Sequence, residues 1–185
     1  AQGGVYAARL WWMLLWLGHP EAAVLDGGVQ AWLAAGGELV DEPSVAAPKP
    51  PYPERPALVE SVDAVAVAAR APQQMLLDAR SGERFRGESE PIDRVAGRIP
   101  GAFNRFHKSN LGADGRFKPA AALREEFTAL LAGRASGDVI HSCGSGVTAC
   151  HNLLAMTHAG MPGARLYPGS WSEWSADPAR PIARG

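Results

Sequence analysis

Cys143 and Cys150 are the two thiols in 185 residues, and the first of them stands where a side chain can react. Cys143 closes the apolar run Val139-Ile140-His141-Ser142 and opens the curl Gly144-Ser145-Gly146-Val147-Thr148. Residues 138–140 have the character of a buried strand and residues 148–159 read as a helix, so the cysteine falls at a strand-to-helix turn. At such a turn the loop N–H groups and the positive end of the helix would face the sulfur. They would favour thiolate over thiol and hold an anionic group carried on it. Gly144 and Gly146 allow the backbone to curl this closely. A buried free cysteine is ordinarily an inert small hydrophobe, but a glycine curl leading into a helix makes a nucleophile the better reading. Two phosphate loops are excluded. A cysteine phosphatase clamps phosphate with an arginine six positions on, where this chain has Ala149. A nucleotide-binding loop needs a lysine before its threonine, and Val147 precedes Thr148.

Other chemistry clusters nearby in sequence. Arg84, Arg86, Arg94 and Arg98 crowd one short span, the pattern of an anion site against a background of solvated charges. Ser145, two residues past the cysteine, can donate to a sulfur-borne anion or relay a proton, or simply form the turn. Asp78 and Arg80 read as a structural pair at a strand end. His141 and His151 flank the loop and are read as packing groups, as is Cys150 within the helix. With 18 basic against 19 acidic residues and a net charge of −1, the chain offers no field for nucleic acid or an anionic membrane. The cysteine spacing suggests neither a disulfide framework nor a zinc site, and a working thiolate fits the reducing cytoplasm.

The elements that must position these residues alternate, as in an α/β fold. Residues 57–185 form one domain, with strands expected at 75–79, 102–104 and 164–167 beside the cysteine strand. Helices are expected from a cap at Ser61 through Arg70, over 119–131, and from a cap at Ser170 over 171–176. A parallel sheet with helices on both faces follows, its reactive loop at the carboxyl end of a central strand. Residues 41–56 carry six prolines and read as a stiff linker. The apolar segment 5–17 is shorter than the roughly 20 residues of a membrane span and contains Arg9, so it reads as a buried helix. Residues 22–25 read as a short buried strand and 29–35 as a helix closed by Gly36 and Gly37. Shifting the chain on itself by 142 positions places Gly4 on Gly146, Val5 on Val147, Gly18 on Gly160 and Trp32 on Trp174. Ala1 then lies opposite Cys143, so the first copy has no nucleophile.

The loop Cys143-Gly144-Ser145-Gly146-Val147-Thr148 resembles that of rhodanese-type sulfurtransferases, in the form found among 3-mercaptopyruvate sulfurtransferases. Leu77-Asp78-Ala79-Arg80, Glu83-Arg84-Phe85-Arg86-Gly87, Gly97-Arg98-Ile99-Pro100-Gly101-Ala102 and Tyr167-Pro168-Gly169-Ser170-Trp171 resemble family segments in the family's order. The resemblance implies an α/β rhodanese-like domain over 57–185, preceded in 1–40 by the C-terminal part of a second, inactive one. It implies that Cys143 takes sulfur from 3-mercaptopyruvate as a persulfide and passes it to a small thiol, a thioredoxin-like protein or cyanide, with no metal or organic cofactor. Arg84 matches the family's substrate-binding arginine. Arg94 lies one residue out of register with a second, and Arg98 replaces the histidine usual before Ile-Pro-Gly. Gly144, Gly146, Val147 and Thr148 would cradle the substrate beside Cys143, with Ser145 assisting a His and an Asp from the first domain. The alternatives are thiosulfate as donor, which goes with a cationic loop, and a silent rhodanese-like binding module.

Overall fold

The computed structural model describes residues 2–42 and 47–185. The chain runs through α1 (Val5–Trp16), α2 (Gly28–Ala34), α3 (Ala64–Ala68), β1 (Met75–Asp78), α4 (Gly82–Arg86), β2 (Ala102–Asn104), α5 (Ala120–Leu131), β3 (Val139–Ser142), α6 (Val147–His158), β4 (Arg165–Leu166) and α7 (Ser170–Ala176). The four strands form one sheet in the order β2-β1-β3-β4, all parallel, with Leu77 opposite Phe103 on one side and His141 on the other. Every residue of β1 and β3 is buried, and each strand opens on apolar residues, Met75-Leu76-Leu77 and Val139-Ile140, before its polar carboxyl end.

Alternation along these strands divides the core in two. Met75, Leu77 and Val139 face a layer made by α1, α5 and α6, including Trp12, Phe127, Leu153 and Met156. Leu76 and Ile140 face α3 and α7, where Val67, Trp171 and Trp174 fill the space. Helices therefore cover both faces. Between β1 and α4, Arg80 binds Asp78 bidentately (Nη2 to Oδ2, 2.7 Å; Nε to both oxygens, 3.1 Å) and donates to the Gly97 carbonyl at 2.8 Å. Burial pushes the Asp78 carboxyl up from its ordinary value while Arg80 pulls it down.

Some expectations change. The segment about Ser61 is extended and bridges to Leu166, with Val62 N–H donating to the Leu166 carbonyl at 2.8 Å; the helix starts later, capped by Asp63, whose Oδ1 accepts from Ala66 N–H at 2.8 Å. Residues 22–25 form no strand: among the described residues their backbone hydrogen bonds are local, Ala22 N–H to the Pro20 carbonyl and Gly28 N–H to the Leu25 carbonyl, and Leu25 is largely exposed. Helix α1 is buried on one side only. Val5, Ala8, Trp11 and Trp12 pack toward α6, whereas Tyr6, Leu10, Met13 and Trp16 face outward. Of the expected linker, residues 43–46 lie outside the described residues; residues 47–56 have no regular structure and return to α1, where His19 meets Tyr52 at 2.9 Å. No helix among the described residues is long and apolar enough to cross a membrane. The 142-residue shift reappears in the helix bounds: α1 and α6 are each twelve residues, start 142 apart and follow a left-handed glycine, and α2 and α7 both end on alanines 142 apart. Trp32 in α2 is 46% exposed, whereas Trp174 in α7 is 2% exposed against the sheet.

Two core histidines make a testable consequence. His141 is fully buried against Met156 and burial lowers its pKa to about 3. His151 accepts from Asn110 Nδ2 (3.1 Å) and donates to the Gly3 carbonyl (2.9 Å), which fixes one neutral tautomer; burial lowers its pKa to about 4. A histidine with a depressed folded pKa contributes stability above its unfolded value and loses it as pH falls toward the folded one. Denaturant unfolding at pH 7 and pH 5 should therefore show a loss on the order of 3 kcal/mol from these two histidines. His151→Gln should lower that difference by about half, and a pH-independent stability across this range would show that the histidines are not held neutral.

Candidate active site

Strand β3 ends at Ser142, so Cys143 is the first residue past the carboxyl edge of the central sheet. Its backbone is clasped by the start of α7. Cys143 N–H donates to Ser170 Oγ at 3.0 Å, the Cys143 carbonyl accepts from Trp171 N–H at 3.0 Å, and the Gly144 carbonyl accepts from Ser172 N–H at 2.9 Å. The expected capping role of Ser170 is thus replaced by this one: its φ is +53°, its hydroxyl donates to the Tyr167 carbonyl at 2.8 Å, and Gly169 holds the cap position. Because the cysteine's own N–H is engaged, the donors left for an anion are those that follow, Gly144 to Thr148. None of these donates to a backbone carbonyl outside α6.

The two loop glycines serve different ends. Gly146 has φ +75°, and a Cβ there would stand 2.5 Å from the Pro168 carbonyl oxygen, so only glycine fits. It does not line the cavity; its carbonyl instead accepts from Cys150 Sγ at 3.3 Å and Arg9 Nη1 at 3.5 Å. Its missing side chain is thus required by conformation, and what it can offer a bound anion is its N–H. At Gly144 a Cβ would lie 3.5 Å from Arg84 Nη2, an ordinary contact, and this residue does face the cavity.

That cavity is about 440 Å³ and brings together Cys143, Gly144, Ser145, Val147, Thr148 and Arg84. Cys143 is only 2% exposed at its base, while Ser145 is exposed at its rim. Arg84 is fixed by Glu90 (Nη2 to Oε1, 2.6 Å) and Asp93 (Nη2 to Oδ2, 3.2 Å). Arg94 is not brought in. It is exposed and outside the cavity, because the residue before it, Asp93, is captured by Arg84 and by Ser172 Oγ at 2.6 Å, which turns position 94 outward. Arg98 stacks on Phe85 instead. His141 and His151 are buried and line no part of the cavity. A larger groove of about 730 Å³ lies at Arg70 and Trp174, but it contains no nucleophile, and the cysteine decides between the two.

Residues not anticipated from the sequence complete the walls. His107 and Lys108 come from the turn after β2, and Gln2, Val5 and Tyr6 from the N-terminal segment. No motif marks 107 and 108. Their signal is positional: they follow the carboxyl end of a strand neighbouring the one that carries the cysteine, where α/β sheets gather their sites. His107 is held below its ordinary pKa, chiefly by burial.

The Rhodanese-like domain family matches residues 61–177. A relative from Pseudomonas aeruginosa described as a probable 3-mercaptopyruvate sulfurtransferase is 50% identical, over 98% of this chain and 65% of its own length. The 3-mercaptopyruvate sulfurtransferase of Homo sapiens is 34% identical, over 92% of this chain and 59% of its own, and the thiosulfate sulfurtransferase of Rattus norvegicus is 34% identical, over 99% and 63%. The chain thus spans less than two thirds of the length of these curated relatives. Among solved structures, the anaerobic ergothioneine biosynthesis enzyme from Chlorobium limicola, in complex with trimethyl histidine, superposes with a TM-score of 0.83 at 26% identity, over 98% of this chain and 45% of that one.

The two thiols should separate cleanly in labelling. Burial pushes the Cys150 thiol up to about 12, and its hydrogen already goes to the Gly146 carbonyl. Iodoacetamide at pH 8, followed by peptide mass analysis, should modify Cys143 and leave Cys150 untouched in the folded protein. Modification of Cys150 at a matching rate would contradict its burial.

Proposed function

The chain belongs to the rhodanese-like domain family, and we propose that it is a sulfurtransferase that moves sulfur from 3-mercaptopyruvate, through a persulfide on Cys143, to a thiol acceptor. The observation that carries this reading is the cysteine at the base of a cavity whose rim, Gly144 and Ser145, is uncharged, with Arg84 beside it. The Cys143 thiolate attacks the donor's thiol sulfur. An S–S bond forms, the donor's C–S bond breaks, and its electron pair stays on the methylene carbon as the enolate of pyruvate. The donor's thiol proton passes to that carbon, giving pyruvate and an anionic persulfide. Ser145, at the rim, is placed to relay this proton. The N–H groups from Gly144 to Thr148 hold the persulfide charge until an acceptor thiolate takes the outer sulfur and restores the Cys143 thiolate.

Thiosulfate as donor is the second reading, and the loop's neutrality disfavours it. Gly144 and Ser145 place no cation beside the sulfur, which a dianionic donor would call for. The matching bounds of α1 with α6 and of α2 with α7 support a repeat in which 1–40 is the closing part of an inactive rhodanese-like domain joined through 41–56 to a catalytic domain at 57–185. A small thiol or a thioredoxin-like protein would serve as acceptor, in a reducing compartment such as the cytoplasm.

Steady-state rates with both donors test the proposal. Cys143→Ser should lose all transfer while staying folded, since the change is nearly isosteric. Introducing Gly144→Arg with Ser145→Lys should shift the kcat/KM ratio toward thiosulfate by more than about tenfold. An unmodified protein that already prefers thiosulfate would transfer the assignment to the second reading, and absence of turnover with either donor would leave the binding module.

A further inference from the structure

Two basic side chains line the cysteine cavity, and their charges are not equally available. Arg84 belongs to a chain of ionised groups: Asp78 pairs with Arg80, Arg80 with Glu90, Glu90 with Arg84, and Arg84 with Asp93. Two guanidiniums against three carboxylates give this chain a net charge of −1. Arg84 can hydrogen-bond a ligand, but with its neighbours it brings no net positive charge to the cavity. Lys108 differs. It is exposed, its ammonium lies 5.9 Å from the Phe106 ring, and among the described residues it meets no carboxylate within ion-pair distance.

The turn that carries it is anchored on both sides. His107 N–H donates to the Ala79 carbonyl at 3.2 Å, at the end of β1. Asn110, fully buried, donates to Asn152 Oδ1 at 2.7 Å on α6, the helix that follows the reactive loop. A flexible cationic side chain therefore rises from a fixed turn at the cavity wall. His107 beside it is held toward its neutral form by burial and adds no charge near pH 7.

We propose that Lys108 is the specificity-determining residue that reads the carboxylate of the sulfur donor, occupying the place that a second arginine was expected to fill from position 94. The donor's identity rests on the sulfur-transfer reading; the recognition of a carboxylate beside Cys143 does not. A three-carbon donor carries its sulfur and its carboxylate at opposite ends. With the sulfur at Cys143, a cation on a separate wall of the cavity fixes the far end, while Arg84 supplies oriented donors.

The test uses two alkylating agents of nearly equal size that differ in charge. Iodoacetate carries a carboxylate and iodoacetamide a neutral amide, and the ratio of their rates at Cys143 cancels any change in thiolate population. Lys108→Met should lower the iodoacetate-to-iodoacetamide ratio about fivefold at low ionic strength, and Lys108→Arg should restore it. With 3-mercaptopyruvate, Lys108→Met should raise KM by a similar factor and leave kcat nearly unchanged. An unaltered alkylation ratio overturns the proposal, as does a lowered ratio accompanied by an unmoved KM. If the unmodified protein transfers no sulfur while its alkylation ratio still depends on Lys108, the sulfurtransferase reading fails and the carboxylate site stands.

Discussion

Both backbone polar groups of Cys143 are taken by the first turn of α7, and the reactive loop has its shape because of that clasp. A loop this rich in glycine would otherwise sample many conformations, each with its N–H groups aimed differently. The clasp needs Ser170 at a positive φ and Pro168 close enough to exclude any side chain at position 146. Both lie in the segment after β4, so the C-terminal strand and helix act as the mould into which the loop is pressed. Trp171 and Trp174, packed beneath α7, hold that mould to the sheet.

Beside the loop runs a line of ions that is sealed in the interior at one end and opens to the cavity at the other. Asp78 and Arg80 are nearly sealed from water, and Glu90 is 3% exposed at its side chain. Such buried pairs seldom add much net stability, but removing one partner strands the other, at a cost of about 3 to 5 kcal/mol. Glu90 links this sealed end to Arg84, which still opens to the cavity. The guanidinium that lines the cavity is therefore held in orientation by the protein interior rather than by solvent.

How far the sequence could be read depended on where each residue's partners lie. β1, β3 and the apolar positions of α5 were legible because burial on fixed faces leaves a periodic trace in the chain itself. Cys143 and its loop were legible because glycine spacing encodes the turn. Ser61 and Ser170 were misread as caps because a hydroxyl near a helix start can serve any nearby backbone group, and here tertiary neighbours competed successfully. The one-sided exposure of α1 was hidden by a sequence apolar on nearly every side, which reads as buried all round. That Lys108 lines the cavity and Arg94 does not was hidden for a related reason. Position 94 is decided by what Asp93 binds, and position 108 by the fold bringing a turn beside a loop 35 residues further along the chain.

The seclusion of Cys150 has a consequence for how Cys143 ages. Many redox-active proteins keep a second thiol within reach, so that a sulfur atom carried too long, or oxygen added by a peroxide, can be discharged as an internal disulfide. Here the second sulfur is locked to a carbonyl with its proton retained. Among the described residues, a Cys143 oxidised to the sulfenic acid therefore finds no ready partner in Cys150 and depends on a thiol that comes from elsewhere. Oxidant without such a thiol carries the side chain on to sulfinic acid, a step that thiols do not reverse.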